Sequence, residues 1–207
     1  MHAILIHGMG RTPASMLILA LRLRKAGIHS HFFAYSAAFE RWESCVNRLE
    51  KCIHQHTRDE DFIIIGHSLG TVLTRDVLPR LTHKPIACFF LAPPTKACLA
   101  AQKLAPLRLY KLLTGEMGQL LACPHFMDSL PTPNVPTKIY SGINGLRGRY
   151  SPFGEQLNDG VLAVDETLLP CVPYETIAAV HTFIMNKKAV AEDIIKLINT
   201  ARQPAKV

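Results

Sequence analysis

An apolar run, Phe62-Ile63-Ile64-Ile65, passes directly into Gly66-His67-Ser68-Leu69-Gly70. A run of this kind reads as a strand buried on both faces. G-x-S-x-G then ends the strand, and a helical pattern follows over 69–81. Strand, sharp turn and helix in that order constrain this chain more than any other feature. The turn forces strained backbone angles on the serine and needs small residues two positions to either side of it. Glycine stands at both positions. The pattern singles out one atom, the Ser68 hydroxyl oxygen, as a nucleophile projecting from the end of a sheet.

Around this centre strands and helices alternate. Residues 2–6 read as a strand. Residues 13–25 read as a helix, with Thr12 before it, Pro13 at its first position and Gly27 just past its end. A second strand is predicted over 28–35. Phe39, Trp42, Val46, Leu49 and Ile53 recur at helical spacing and predict a helix over 39–56. Residues 86–91, 137–143 and 175–180 read as further strands, and 187–200 as a closing helix. Between 93 and 136 the pattern is less regular, with one helix over 96–111 followed by Gly- and Pro-rich sequence. The alternation predicts an α/β fold: a parallel sheet of about six strands with helices on both faces. The 207 residues carry no internal repeat and no linker, so 1–207 reads as a single domain, with 93–136 as a cap or pocket-wall insertion.

Composition narrows the function classes. The net charge is +7, but the basic residues are scattered and no aromatic residues interleave with them, so nucleic acid is not an expected partner. A solvated basic surface is expected, with peripheral contact to an anionic membrane as the sharper alternative. No apolar stretch has the length of a membrane span, and Met1-His2 runs straight into a strand rather than a signal peptide, which makes the cytoplasm the expected location. The six cysteines show no C-x-x-C spacing. Cys45 and Cys52 lie two helical turns apart, about 10 Å and too far to bridge. Free, mostly buried thiols are expected. His29 and His31 share a strand face but lack a third metal ligand, and the loop 142–148 with Arg147 and Arg149 lacks the phosphate-loop pattern. Neither metal nor cofactor is expected.

A nucleophilic serine needs a base, an acid that orients the base, and donors for the oxyanion. In a parallel sheet these belong at the carboxyl ends of strands. After the first strand comes His7-Gly8-Met9-Gly10-Arg11, a two-glycine turn whose backbone can face a substrate. The N–H groups of Met9 and Leu69 are the candidate oxyanion donors, with His7, Gly8 and Gly10 supporting the turn. Of ten histidines, His181 alone follows the last predicted strand in the C-terminal third, and it is the candidate base. The acid should lie between serine and base in chain order. Asp159 and Asp165 both do so. Asp159, in the tight Asn158-Asp159-Gly160-Val161 turn, is favoured, because Asp165 opens a helical stretch that it can cap. Asp76, one turn into the helix after the elbow, reads as a surface or ion-pair residue.

These segments resemble the α/β-hydrolase superfamily, in particular its small bacterial lipase-like and esterase-like members. His7-Gly8-Met9-Gly10-Arg11 is similar to their H-G-x-G oxyanion turn, Gly66–Gly70 to their elbow, and Asn158-Asp159-Gly160-Val161 to their N-D-G-[VL] acid loop. The likeness runs in order over about residues 2–200. It implies an α/β-hydrolase fold, no cofactor, and Ser68, His181 and Asp159 as nucleophile, base and acid, the N-D-G loop adding weight to Asp159. Two departures stand out. Thr71 replaces a second glycine after the elbow, and the two leading antiparallel strands of larger members are not expected. The implied activity is cleavage of carboxylic esters with an apolar acyl chain. Thioesterase and acyltransferase chemistry on the same triad are alternatives, and a non-catalytic, lipid- or membrane-binding hydrolase-like protein is the rival from another class.

Overall fold

The computed structural model describes residues 1–58 and 60–202. Six strands, β1 (His2–Ile6), β2 (His29–Phe33), β3 (Phe62–His67), β4 (Ala87–Leu91), β5 (Thr137–Gly142) and β6 (Tyr174–Ile177), form one sheet. The order is β2-β1-β3-β4-β5-β6 and every neighbouring pair is parallel. The helices are α1 (Leu17–Lys25), α2 (Trp42–Thr57), α3 (Leu69–Val77), α4 (Leu99–Leu104), α5 (Arg108–Leu121), α6 (Pro124–Ser129) and α7 (Lys188–Arg202).

Successive strand side chains point to opposite faces, so uniformly apolar strands feed two cores. Ile4, Ile6, Ile64 and Phe90 pack beneath α2 and α3 through Val46, Leu49, Val72 and Leu73. Ala3, Leu5, Ile63, Ile65 and Phe89 pack against α1 and α7 through Leu19, Leu23, Val190 and Ile194. The chain moves from β1 outward to β2, then returns past β1 to β3. The turns that follow β1 and β2 line a crevice at the carboxyl ends of these strands, and the turn after β3 packs against the first of them.

Several elements depart from the sequence expectations. Phe39 does not open the second helix; it is 92% exposed and lies before α2. Arg41 is extended, and the unpaired N–H of Trp42 that begins the helix is taken by Glu116 Oε2 at 2.9 Å. The helix expected over 96–111 is two helices, because Pro106 stands between α4 and α5 and has no N–H to donate. The Gly- and Pro-rich sequence beyond is helical as well: α5 continues to Leu121 through a kink at Gly115 (φ 54°, ψ −146°), and Pro124 lies in the first turn of α6. The strand expected over 175–180 stops at Ile177, where Ala179 N–H folds back onto the Ile177 carbonyl at 2.6 Å. All six cysteines are free, and burial pushes the Cys45 thiol up to about 12, far from thiolate chemistry.

Buried polar groups and close backbone packing tie residues 93–136 to the body. The buried Arg75 of α3 donates to the carbonyls of Thr95, Leu130 and Pro131. Burial draws its pKa down to about 10, still charged at neutral pH. The buried Glu166 accepts from Leu99 N–H at the start of α4 (2.7 Å) and from Ala163 N–H (2.9 Å). Glu116 of α5 caps α2 as described. At Gly115 the backbone passes so close to residues 37 and 38 that an added Cβ would lie 2.7 Å from the Ala37 carbonyl oxygen.

At the amino ends of β1 and β2, away from the crevice, His2 Nδ1 lies 2.9 Å from His31 Nε2, and the His31 and His56 rings meet edge-on at 4.4 Å. Burial first, then the neighbouring His56, His2 and His29, lowers the His31 pKa from 6.5 to about 4. The unfolded chain therefore takes up this proton near 6.5 while the folded chain refuses it until about 4, and stability that is complete above that window is lost as pH falls through it. His31→Gln should flatten the fall of the urea midpoint between pH 6.5 and 4; a slope equal to wild type would contradict this account.

Candidate active site

The elbow is built by close packing. Ser68 sits between β3 and α3 with φ 49° and ψ −120°, a left-handed conformation rare for any residue with a side chain. Its N–H donates to the Leu91 carbonyl on β4 at 2.9 Å. Its carbonyl accepts from Thr71 twice, from the N–H at 2.9 Å and from the hydroxyl at 2.7 Å. Thr71, the departure from the usual glycine, thus secures the carbonyl of the strained residue. A Cβ on Gly66 would lie 2.8 Å from Thr71 N, and a Cβ on Gly70 would strike the Ile6 and His7 carbonyls that end β1. Both glycines are demanded by backbone approach, which no side-chain repacking can relieve.

The turn after β1 is brought to the serine in the same way. A Cβ on Gly8 would lie 3.1 Å from Ser68 Cβ and 2.7 Å from His67 Nδ1. His7 is buried, and desolvation lowers its pKa, so the ring is neutral. It donates from Nδ1 to the Gly8 carbonyl at 2.9 Å and stacks on Tyr35 with centroids 4.4 Å apart. Tyr35 in turn donates its hydroxyl to the His7 carbonyl at 2.9 Å. Gly10 adopts φ 66°, which closes the turn. Leu69 is the first residue of α3, so its N–H has no carbonyl one turn back within the helix to bond. Met9 lies half-buried in the adjoining turn.

Beyond β5 and β6 the structure joins Asp159 to His181. Asp159 Oδ2 accepts from His181 Nδ1 at 2.7 Å, and both residues are buried. The other oxygen, Oδ1, accepts from Val161 N–H (2.9 Å) and Leu162 N–H (2.7 Å), and the Asp159 carbonyl accepts from His181 N–H (2.9 Å). Tightness at Gly142 and Gly145 permits this: a Cβ on Gly142 would lie 2.7 Å from Asp159 Cβ, and one on Gly145 would overlap the Asn158 side chain. The glycines of 142–148 thus include two that seat the 158–160 turn rather than leave an open phosphate cradle. Asp165 is elsewhere, exposed and paired with Lys96 Nζ at 3.1 Å. Asp76 accepts from Trp42 Nε1 at 2.6 Å and pairs with Arg80.

His67 carries a role that the sequence reading did not assign. Its Nε2–H donates to the backbone carbonyl of His181 at 3.0 Å, and the two rings lie 5.0 Å apart. Burial first, then the nearby His181, holds its pKa well below the usual imidazole range, so the ring is neutral. The residue beside the serine is therefore the strut that fixes the loop bearing His181. Among the described residues, Ser68 Oγ makes no hydrogen bond to His181 Nε2, a contact that in serine enzymes is often long before substrate binds. Among the described residues no group of three or more His, Cys, Asp or Glu is arranged to hold a metal ion; His31 instead faces His2 and His56.

The packing at the elbow has a direct test. Gly70→Ala must push α3 away from β1, and should cost about 2 kcal/mol or more in urea unfolding. A change within about 0.5 kcal/mol, the range of an ordinary surface substitution, would show that the contact is not tight.

No family model matches the chain, and no curated protein matches it by sequence. Solved structures do match. The mature form of the Bacillus licheniformis lipase BlEst2 superposes with a TM-score of 0.75 at 18% identity, over 95% of this chain and 91% of that one. A hydrolase of the alpha/beta superfamily, so described as putative, from Xanthomonas campestris pv. campestris gives 0.64 at 16% identity, over 96% and 98%. The RedJ thioesterase of the prodiginine biosynthetic pathway in Streptomyces coelicolor gives 0.60 at 15% identity, over 97% and 85%. At these identities the likeness speaks for architecture: six parallel strands in this order, with helices on both faces and a sharp serine turn after β3, give this chain the α/β-hydrolase fold.

Proposed function

We propose that the chain is a serine hydrolase of carboxylic esters that works through an acyl-enzyme, as one domain. The observation that carries this reading is the buried 2.7 Å Asp159–His181 pair, tied through His67 to the turn that holds Ser68 at φ 49°. In this mechanism Ser68 Oγ attacks the acyl carbon while His181 Nε2 takes its proton. Asp159 keeps the proton on Nδ1 and stabilises the imidazolium. The N–H groups of Met9 and Leu69 hold the tetrahedral oxyanion, each donor contributing about 3 kcal/mol to the barrier reduction. His181 returns the proton to the leaving alcohol, and water, activated by the same ring, releases the acid. No metal or cofactor enters any step.

Residues 93–136 serve in this reading as a cap and pocket wall. A cleft of about 300 Å³ beside the oxyanion turn is lined by His7, Gly8, Gly10, Arg11, Tyr35 and, from α5, Leu113. Structures of this fold include a named lipase and a named thioesterase, and a tomato methylketone synthase complexed with 2-tridecanone, which supports an apolar, small-molecule substrate.

A fluorophosphonate probe should label the wild-type protein and spare Ser68→Ala; no labelling of folded wild type, or equal labelling of the variant, would end the serine-hydrolase reading. An ester series of increasing acyl length, run beside a thioester and an amide, separates esterase from thioesterase. Asp159→Asn should lower kcat by about 10⁴-fold through the wrong imidazole tautomer, while Asp165→Asn leaves it near wild type. The reverse ranking would move the acid to Asp165.

A further inference from the structure

A surface helix of a globular protein turns its apolar side chains inward and its polar ones to water. The first half of α5 does both at once with leucine. Thr114 and Met117 are buried and Tyr110 is half-buried. Leu109, Leu112 and Leu113, spaced i, i+3 and i+4 on the opposite side, are 66%, 73% and 62% exposed. Leu104 and Leu107, at the end of α4 and in the link to α5, are exposed as well. Lys103, Arg108 and Lys111 accompany this stripe, all exposed, and none takes part in an ion pair among the described residues. From 93 to 115 the sequence contains no Asp or Glu at all.

We infer that the outer face of the α4–α5 segment docks onto an anionic lipid surface. A leucine stripe flanked by cations is the pattern of a helix that lies in a membrane interface, its apolar side in the acyl boundary and its charges among the headgroups. A second copy of the chain is a poorer occupant, since it would bring three unpaired cations against three. A protein partner is also a poorer match. The face offers one kind of aliphatic side chain and none of the Trp or Tyr anchors on which protein interfaces concentrate their energy. Leu113 belongs both to this face and to the cleft beside Gly8 and Arg11, so docking would set the mouth of the crevice at the lipid surface. The inference stands on the surface of the segment and does not depend on chemistry at Ser68.

The test is co-sedimentation of the full chain with vesicles of phosphatidylcholine alone or mixed with phosphatidylglycerol, at low and high salt. Wild type should pellet with the anionic vesicles and be released by salt. Ser68→Ala should bind as wild type does, which separates this result from the fate of the hydrolase reading. Arg108→Gln with Lys111→Gln should weaken binding roughly fivefold for each charge removed. Leu109→Ser with Leu112→Ser should abolish it while leaving the circular dichroism unchanged, as positions about two-thirds exposed or more allow. Absence of pelleting, equal pelleting with neutral and anionic vesicles, or a concentration-dependent dimer that the serine variants dissolve would each overturn the inference.

Discussion

The backbone of Gly70 lies against the carbonyls that end β1 with no room for a side chain between them. The arrangement of the crevice follows from that contact. It fixes where α3 begins, and so where Ser68 and the free N–H of Leu69 stand relative to the turn after β1. Gly8 completes the approach from the other side, against the serine itself. Two strand ends are thus locked together by main chain, which has no rotamers to lose and nothing soft to yield. The strain at Ser68 persists because its N–H, its carbonyl and both flanking glycines are committed.

Around this lock the buried imidazoles act as fixed dipoles. His7 and His67 are kept neutral by burial, and each spends its N–H on a carbonyl of a loop at the crevice. Neutrality matters most for His67. Its ring is 5.0 Å from that of His181, and a charge on it would oppose the imidazolium that the proposed mechanism requires. Desolvation, which would be a burden on a catalytic base, here keeps His67 from competing for a proton with the base that the proposed mechanism places at His181.

The sheet, its approximate strand number and the elbow were legible because each rests on local pattern: apolar runs in β3 and β4, glycines two residues either side of Ser68, and helical periodicity in α2 and α7. The pairing of Asp159 with His181 was reachable through chain order and turn chemistry. What escaped depends on distant contacts. The strut from His67 spans 114 positions, and nothing near residue 67 announces its partner. The start of α2 was read at Phe39 because its spacing suits the stripe, yet the helix begins where Glu116, from another element, meets an unpaired N–H. Residues 112–129 looked irregular because Gly115 and Pro124 usually mark breaks; one is a kink held against Ala37 and the other a first-turn proline.

Arg75 places a condition on exchanging parts between proteins of this architecture. The segment between β4 and β5 is a natural unit for a loop transplant. Its two ends are anchored by a buried guanidinium that finds acceptors in Thr95, Leu130 and Pro131, all carbonyls. Any sequence can supply carbonyls, so the donor chain need not match in side chains. It must match in path: a graft whose main chain leaves those three positions strands a cation in the interior. Compatibility of such a chimera is therefore a question of backbone trace at three points, and sequence similarity across the rest of the segment has little bearing on it.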